Sequence, residues 1–401
     1  MKTKVSLALA AALLAAALVP NAPATAQGIP VAQSNKRCVD GRAGFFPCKN
    51  VNLKSFLPST DLGGGTMSDI WGWADPKTKR EYALMGATNG LKFIDVTVPN
   101  KPVYLGTLLK PDSALVWQDV ETYKNYAFVV CDLSPCGMQI FDLRRLRGVT
   151  EAQSWTPDLV YPTSATTHAI DINTASGYAY LNGSYLQGGN HVVDINDPLA
   201  PLPAGQVQDD GYTHDSHCRI YHGPDKDYQE SEICFNANED TITIHDVSNK
   251  ALPVQVARVP YDKATYTHQA WLTEDHKYIL VADELDEQTH GINATTHIFS
   301  VKDLDKPKHI GKYVSHSTFI DHNNYIKGDI DYQAALTGGL RVLDLSRVAE
   351  GKIKERGFFD VVPQSDEPEF DGSWGVYPYL PSGNILASGM GQGLFVLKSR
   401  F

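Results

Sequence analysis

The sequence predicts an all-β fold: a single seven-bladed β-propeller of four-stranded antiparallel blades, closed by an N-terminal strand in the last blade. Three observations predict it. One strand-opening position recurs seven times, at Asp69, Asp119, His168, His217, His268, His322 and Trp374, with steps of 50, 49, 49, 51, 54 and 52 residues. Each repeat holds short runs rich in Val, Ile, Tyr and Phe, bounded by Asp, Gly, Pro and Lys turns. Helical periodicity is confined to RRLRGVTEA and SRVAEGK, both read as single turns.

Within a repeat, the first strand (DIWGWADP, DVETYKNY, HAIDINTA, HCRIYHGP, HQAWLTED, HNNYIKGD, WGVYPYLP) lies beside the central channel. A turn leads to a second strand, as in EYALMG, YAFVVC and YILVAD, and a third follows, as in GLKFIDV, TITIHDV and GLRVLDL. Several repeats then add an outer strand after a Pro, as in KPVYLGTL and LPVQVARV. The seventh repeat stops at its third strand, and VNLKSFLP, ahead of the first repeat, resembles an outer strand. Residues 51–57 are therefore expected to complete the last blade and remove an exposed sheet edge.

The N-terminus reads differently. MKTK is a basic start, VSLALAAALLAAALV an apolar core, and ATA before Gln27 a small-residue cleavage site. These predict a secretory signal peptide over residues 1–26, followed by an N-terminal segment, 27–49, with a local disulfide, and the propeller over 50–401. No later apolar stretch approaches the ~20 residues needed to span a bilayer. The expected location is secreted, periplasmic or extracellular. Six cysteines fall into local pairs, Cys38 with Cys48, Cys131 with Cys136, and Cys218 with Cys234, and an exported chain favours disulfides between them. Net charge is −11, and −13 once Lys2 and Lys4 leave with the signal peptide. With no basic run, nucleic-acid binding is excluded as an expectation. A monomer is expected, with an extracellular carbohydrate or surface protein as the partner class. The sequons at Asn182 and Asn293 are read as unmodified.

The strings DIWGWADP, REYALMGATNGLKFIDVT, GYTHDSHCRIYHGPDKDYQESEICFNANEDT, YTHQAWLTEDHKYILVADELDE and SWGVYPYLPSGNILAS resemble choice-of-anchor B family proteins. Those exported bacterial proteins carry the repeat named LVIVD, seen here as LKFIDV, MQIFDL and LRVLDL. The resemblance covers about residues 50–397 and implies a secreted or surface propeller. It brings no established activity.

Function must be argued from the repeat position itself. Thirteen histidines are spread over the chain, and four fall at that position. Equivalent positions lie at equivalent heights about a propeller axis, so His168, His217, His268 and His322 are expected to face one another at one end of the channel. Asp69 and Asp119 are expected to close the ring, with His214 and Glu284 within reach of the same mouth. Neutral imidazoles and carboxylates suit a divalent metal ion, with Zn, Mn, Fe, Cu or Ca as candidates. The competing reading is that His and Asp cap the inner strands by bonding the backbone. His222, His245, His290, His297, His309 and His316 do not converge and are expected at the surface or in loops. GGGT at 63–66 and GMGQG at 389–393 read as turns, and DELDEQ and QSDEPEFDG as solvated acidic loops without EF-hand spacing. Trp71, Trp73, Trp117, Trp271 and Trp374 read as blade packing, with one or two available to floor a sugar site.

The function expected is an extracellular binding or surface-associated module whose His/Asp ring binds a divalent metal or polar ligand. The alternative is a metal-dependent enzyme (hydrolase, polysaccharide lyase or oxygenase-like) with its active site at the channel mouth. An enzyme needs an open coordination position beside a concave pocket, whereas a structural site is closed.

Overall fold

The computed structural model describes residues 31–110, 117–133, 136–162, 166–184 and 188–401. The signal peptide expected over residues 1–26 lies outside them. Seven sheets, antiparallel except where Gln153–Trp155 runs parallel to Val103–Leu109, form a β-propeller. The inner strands of blades one to seven are Met67–Ala74, Gln118–Tyr123, Ala169–Asn173, Asp215–Ile220, Thr267–Leu272, Asn323–Lys327 and Ser373–Tyr377. Blade five shows the common order, with Thr267–Leu272, Tyr278–Asp283, Thr295–Ser300 and Lys308–Val314 side by side. YILVAD is an unbroken apolar run because its strand is buried along its whole length, while the outer strand is mostly exposed or half-buried. The apolar core lies between blades. Leu272, Ile279 and Val281 of blade five, for example, join Ile233, Phe235 and Ile244 of blade four in one cluster.

The third strand meets the outer strand through a register shift in six blades, as at Val192/Val193, Ile298/Phe299 and Val342/Leu343. The outer-strand residue opposite is small, as in Gly205, Gly311 and Gly357. A side chain at Gly205 would overlap the backbone oxygen of Lys250, and one at Gly311 would overlap that of Gly351. The glycines thus let the following turn fold back onto the bulge.

Closure follows the expectation and goes beyond it. Val51–Pro58 pairs with Gly393–Ser399 in blade seven, with Phe56 opposite Phe395, and Gln33–Lys36 extends the same sheet. Phe46–Lys49 adds to the outer strand of blade six, Lys354–Phe359, which the sequence reading did not foresee. One N-terminal run therefore serves two neighbouring blades. Asn50 turns the corner with φ 58°, a left-handed conformation that Asn tolerates, and its side-chain amide donates to the Arg356 carbonyl at 2.8 Å. At the seam the ring of Phe46 meets those of Phe56, Phe395 and Phe359 at 5.3, 5.1 and 5.5 Å.

All three expected disulfides form: Cys38–Cys48, Cys131–Cys136 and Cys218–Cys234. The last joins directly opposed residues on the first two strands of blade four. Cys38–Cys48 closes a loop with a sequence separation of 10 inside the N-terminal run. Replacing both cysteines by serine is expected to cost about 2–3 kcal/mol, read from the denaturant midpoint. The two expected single turns are the 3-10 helices Leu143–Leu146 and Val348–Glu350. A helix at Asp286–His290 was not expected.

Candidate metal centre

Four histidines meet at the channel mouth, and one of them is not the histidine the spacing selected. Ring centroids of His168 and His214, His214 and His268, and His268 and His322 are each 4.1 Å apart. Two tryptophans continue the ring: Trp374 lies 5.0 Å from His322, and Trp117 lies 4.6 Å from Trp374. Blades two to seven thus each give one aromatic residue at the start of the inner strand.

His217 belongs elsewhere, which corrects the expectation. It lies three residues further along its strand than His214, roughly 10 Å at 3.3 Å per residue. There it packs on Trp271 with centroids 4.1 Å apart, and its Nδ1 is 4.0 Å from Asp171. A strict step near 50 favoured His217 because blade three is short. The pattern that marks the position is Thr-His, at 167–168, 213–214 and 267–268. Asp69 and Asp119 also fall outside the imidazole ring, in the channel wall below it. Asp119 accepts from the Ile170 N–H of the next blade at 2.7 Å and from the Val120 N–H at 2.8 Å. Asp171 accepts likewise from Cys218 N–H at 2.8 Å, and Glu121 from Ile172 N–H at 2.9 Å. The backbone-bonding reading therefore holds for the carboxylates.

It holds in part for the imidazoles too, two of which bond the backbone through one nitrogen and leave the other without a backbone partner. His214 Nδ1 is 2.9 Å from the His268 carbonyl, and His268 Nδ1 is 2.9 Å from the His322 carbonyl. A carbonyl only accepts, so each Nδ1 carries the proton, and each neutral ring keeps its lone pair on Nε2. Glu284, just past the second strand of blade five, places Oε1 3.6 Å from His268 Nε2 and 3.3 Å from His322 Nε2. One ligand atom each from His214, His268 and Glu284 lies within 4.8 Å of the others. His322 is 1% exposed, and neither of its nitrogens makes a hydrogen bond. His168 is fixed from outside the ring, with Nδ1 2.9 Å from Asp132.

The electrostatics divide the ring. Burial pulls His214 and His268 well below the usual imidazole value, and neighbouring histidines add to the effect. Burial alone would lower His168 too, but the bond and charge of Asp132, with Glu284 and Asp119, raise it. Asp132→Asn should therefore move the His168 titration down, as followed by histidine NMR. Below the ring, burial and Asp119 hold Asp69 well above the usual carboxylate range, so Asp69 donates to Asp119. Burial pushes Asp215 up to about 8. That carboxyl takes up a proton on folding, so its contribution is full below about pH 4 and is lost as pH rises towards 8. Asp215→Asn should flatten that part of the melting-temperature profile.

The mouth opens into a small cavity of about 50 Å³, walled by the ring and by Asp119, Glu121, Asp215, Trp271 and Tyr325. Two further sequence readings are corrected. DELDEQ is not a solvated loop: Asp283, Glu284, Asp286 and Glu287 are all buried, the last two at the start of the helix. His245 and His297 are buried on third strands, His245 with Asn236 and His297 with His309. Sequon Asn182 is fully buried and donates to Asp215, in keeping with the unmodified reading.

No family model and no curated protein matches this chain. Solved structures do. A functionally unknown protein from Desulfotomaculum acetoxidans is similar with TM-score 0.53 and 13% identity, over 75% of this chain and 87% of that one. The β-propeller domain of Myceliophteria thermophila Cps50 (Swd1) is similar with TM-score 0.50 and 11% identity, over 80% and 94%. The computationally designed Ika8 protein gives TM-score 0.51 and 9% identity, over 86% of each chain. At such identities the likeness concerns the fold alone, and the propeller is the conclusion it supports.

Proposed function

We propose that this chain is an exported metal-binding propeller of the choice-of-anchor B type. A divalent cation of the zinc class is held by His214 Nε2, His268 Nε2 and a Glu284 oxygen, flanked by His168 and His322. One observation carries the reading: two successive imidazoles have Nδ1 tied to the carbonyl of the next blade's histidine, which leaves both Nε2 lone pairs unused beside one carboxylate. Outer hydrogen bonds of this kind fix tautomer and ring direction in metal-ligating histidines. The orphaned His322 nitrogens fit the same reading. Three protein donors leave a coordination position facing the cavity, where an extracellular ligand would bind as the fourth. Three disulfides, with no membrane-crossing helix among the described residues, support an extracytoplasmic setting.

Elemental analysis of purified protein, followed by chelation and zinc titration, tests this. One ion per chain is expected at the ring, and failure to bind zinc after stripping would sink it. A second reading, metal-dependent hydrolysis, draws on the acidic groups beside the open position, above all Asp215, which burial keeps protonated near neutral pH. Turnover of any ester or glycoside that vanished on chelation would favour it over simple binding.

A further inference from the structure

We propose that Asp286, Glu287 and Asp321 form a second cation site, separate from the imidazole ring and selective for a hard, oxygen-preferring ion of the calcium type. One oxygen from each lies within 4.8 Å of the others. Acidic residues often gather without binding anything, and exposed ones need no partner. These are 1, 1 and 0% exposed. Both oxygens of Glu287 lack a hydrogen-bond partner, as do Asp286 Oδ1 and Asp321 Oδ1. Asp321 Oδ2 accepts from Thr296 Oγ1 at 2.8 Å, and Asp286 accepts from the Glu287 backbone N–H. The charges that act on the three carboxylates are one another's and that of Asp283, with no cation among them.

Four buried oxygens whose only partners are one another's carboxyls, with no counter-charge, are costly unless a proton or a cation joins them. The donor set contains no nitrogen or sulfur, which disfavours zinc and copper and suits calcium. Oxygens bound to one calcium at ~2.4 Å lie at most ~4.8 Å apart, and the three lie within that separation of one another. Three carboxylates can supply up to six oxygens, close to calcium's preference, whereas magnesium would demand stricter octahedral placement. The two segments involved also feed the ring, Glu284 standing two residues before Asp286 and His322 directly after Asp321. An ion here would brace both.

The test uses the full mature chain, stripped with chelator and titrated with calcium alone, followed by calorimetry and thermal unfolding. One calcium per chain is expected, with the melting temperature rising by about 3–5 °C at 100-fold excess over Kd. Glu287→Gln should abolish the calcium shift and keep zinc loading. His214→Ala with His268→Ala should do the reverse, which separates this site from the proposed zinc centre. If Glu287→Gln fails to fold, Glu287→Asp should weaken calcium at least tenfold. The absence of any shift in the wild type at about 10 mM calcium, beyond the range of weak extracellular sites, would overturn the proposal and leave a cluster that shares protons instead. An undiminished shift in Glu287→Gln would overturn it as well.

Discussion

Replacing His214 and His268 together by alanine is expected to empty the zinc centre, lowering affinity by on the order of 10³-fold or more. His217→Ala should leave metal content unchanged, because His217 stacks on Trp271 away from the other imidazoles. The contrast matters because both histidines lie in YTHDSH, and only geometry tells them apart. Mass spectrometry of metal content on the two variants decides it. Equal loading of the double variant and the wild type would end the metal reading. A pH arm follows from the same residues. Burial holds His214 and His268 well below 6.5, so they stay neutral in the folded chain while their unfolded counterparts protonate near 6.5. The unfolded state then binds more protons, and stability of the metal-free protein must fall as pH drops below 6.5. Melting curves between pH 7 and 5 should show that fall in the wild type and a shallower one in the double variant.

Phe46→Ala is expected to cost about 3–5 kcal/mol, as large as any single core truncation in the molecule. Its side chain is fully buried and touches aromatic rings from blade seven, blade six and the closing strand. Chemical denaturation measures the loss, and a change under 1 kcal/mol would show that the seam is held elsewhere. Deleting residues 31–58 should go further, uncovering the Gly393–Ser399 edge and driving self-association on a sizing column.

The propeller itself was legible because a buried second strand and a bulged third strand write the same apolar run into every repeat. The inner strands were placed correctly, as were His168, His268, His322 and Trp374, but the phase slipped in blades two and four. A period near 50 cannot resolve a shift of three residues when blade three is short and two histidines stand three apart. Asp119 misled for a related reason: it follows Trp117, the true ring member, and serves the backbone of blade three. Glu284 and His214 were within view in the sequence, since both sit beside ring positions. The carboxylate cluster was not, because DELDEQ has the composition of a solvated loop. Only the fold shows that its helix turns Asp286 and Glu287 inward against Asp321.

The two-blade N-terminal run has a consequence for the order in which the molecule can be made. Ribosomes deliver Phe46 and Val51–Pro58 hundreds of residues before the strands that receive them. During that interval an apolar strand with open hydrogen-bonding edges waits for its partner, while the intervening blades form from local hairpins. Docking of the first segment onto Lys354–Phe359 and Gly393–Ser399 can come only after those strands exist. A chain interrupted before its last blade cannot complete it, and carries an unclosed edge that marks it as unfinished. The strap thus makes closure of the ring conditional on the last strands being present.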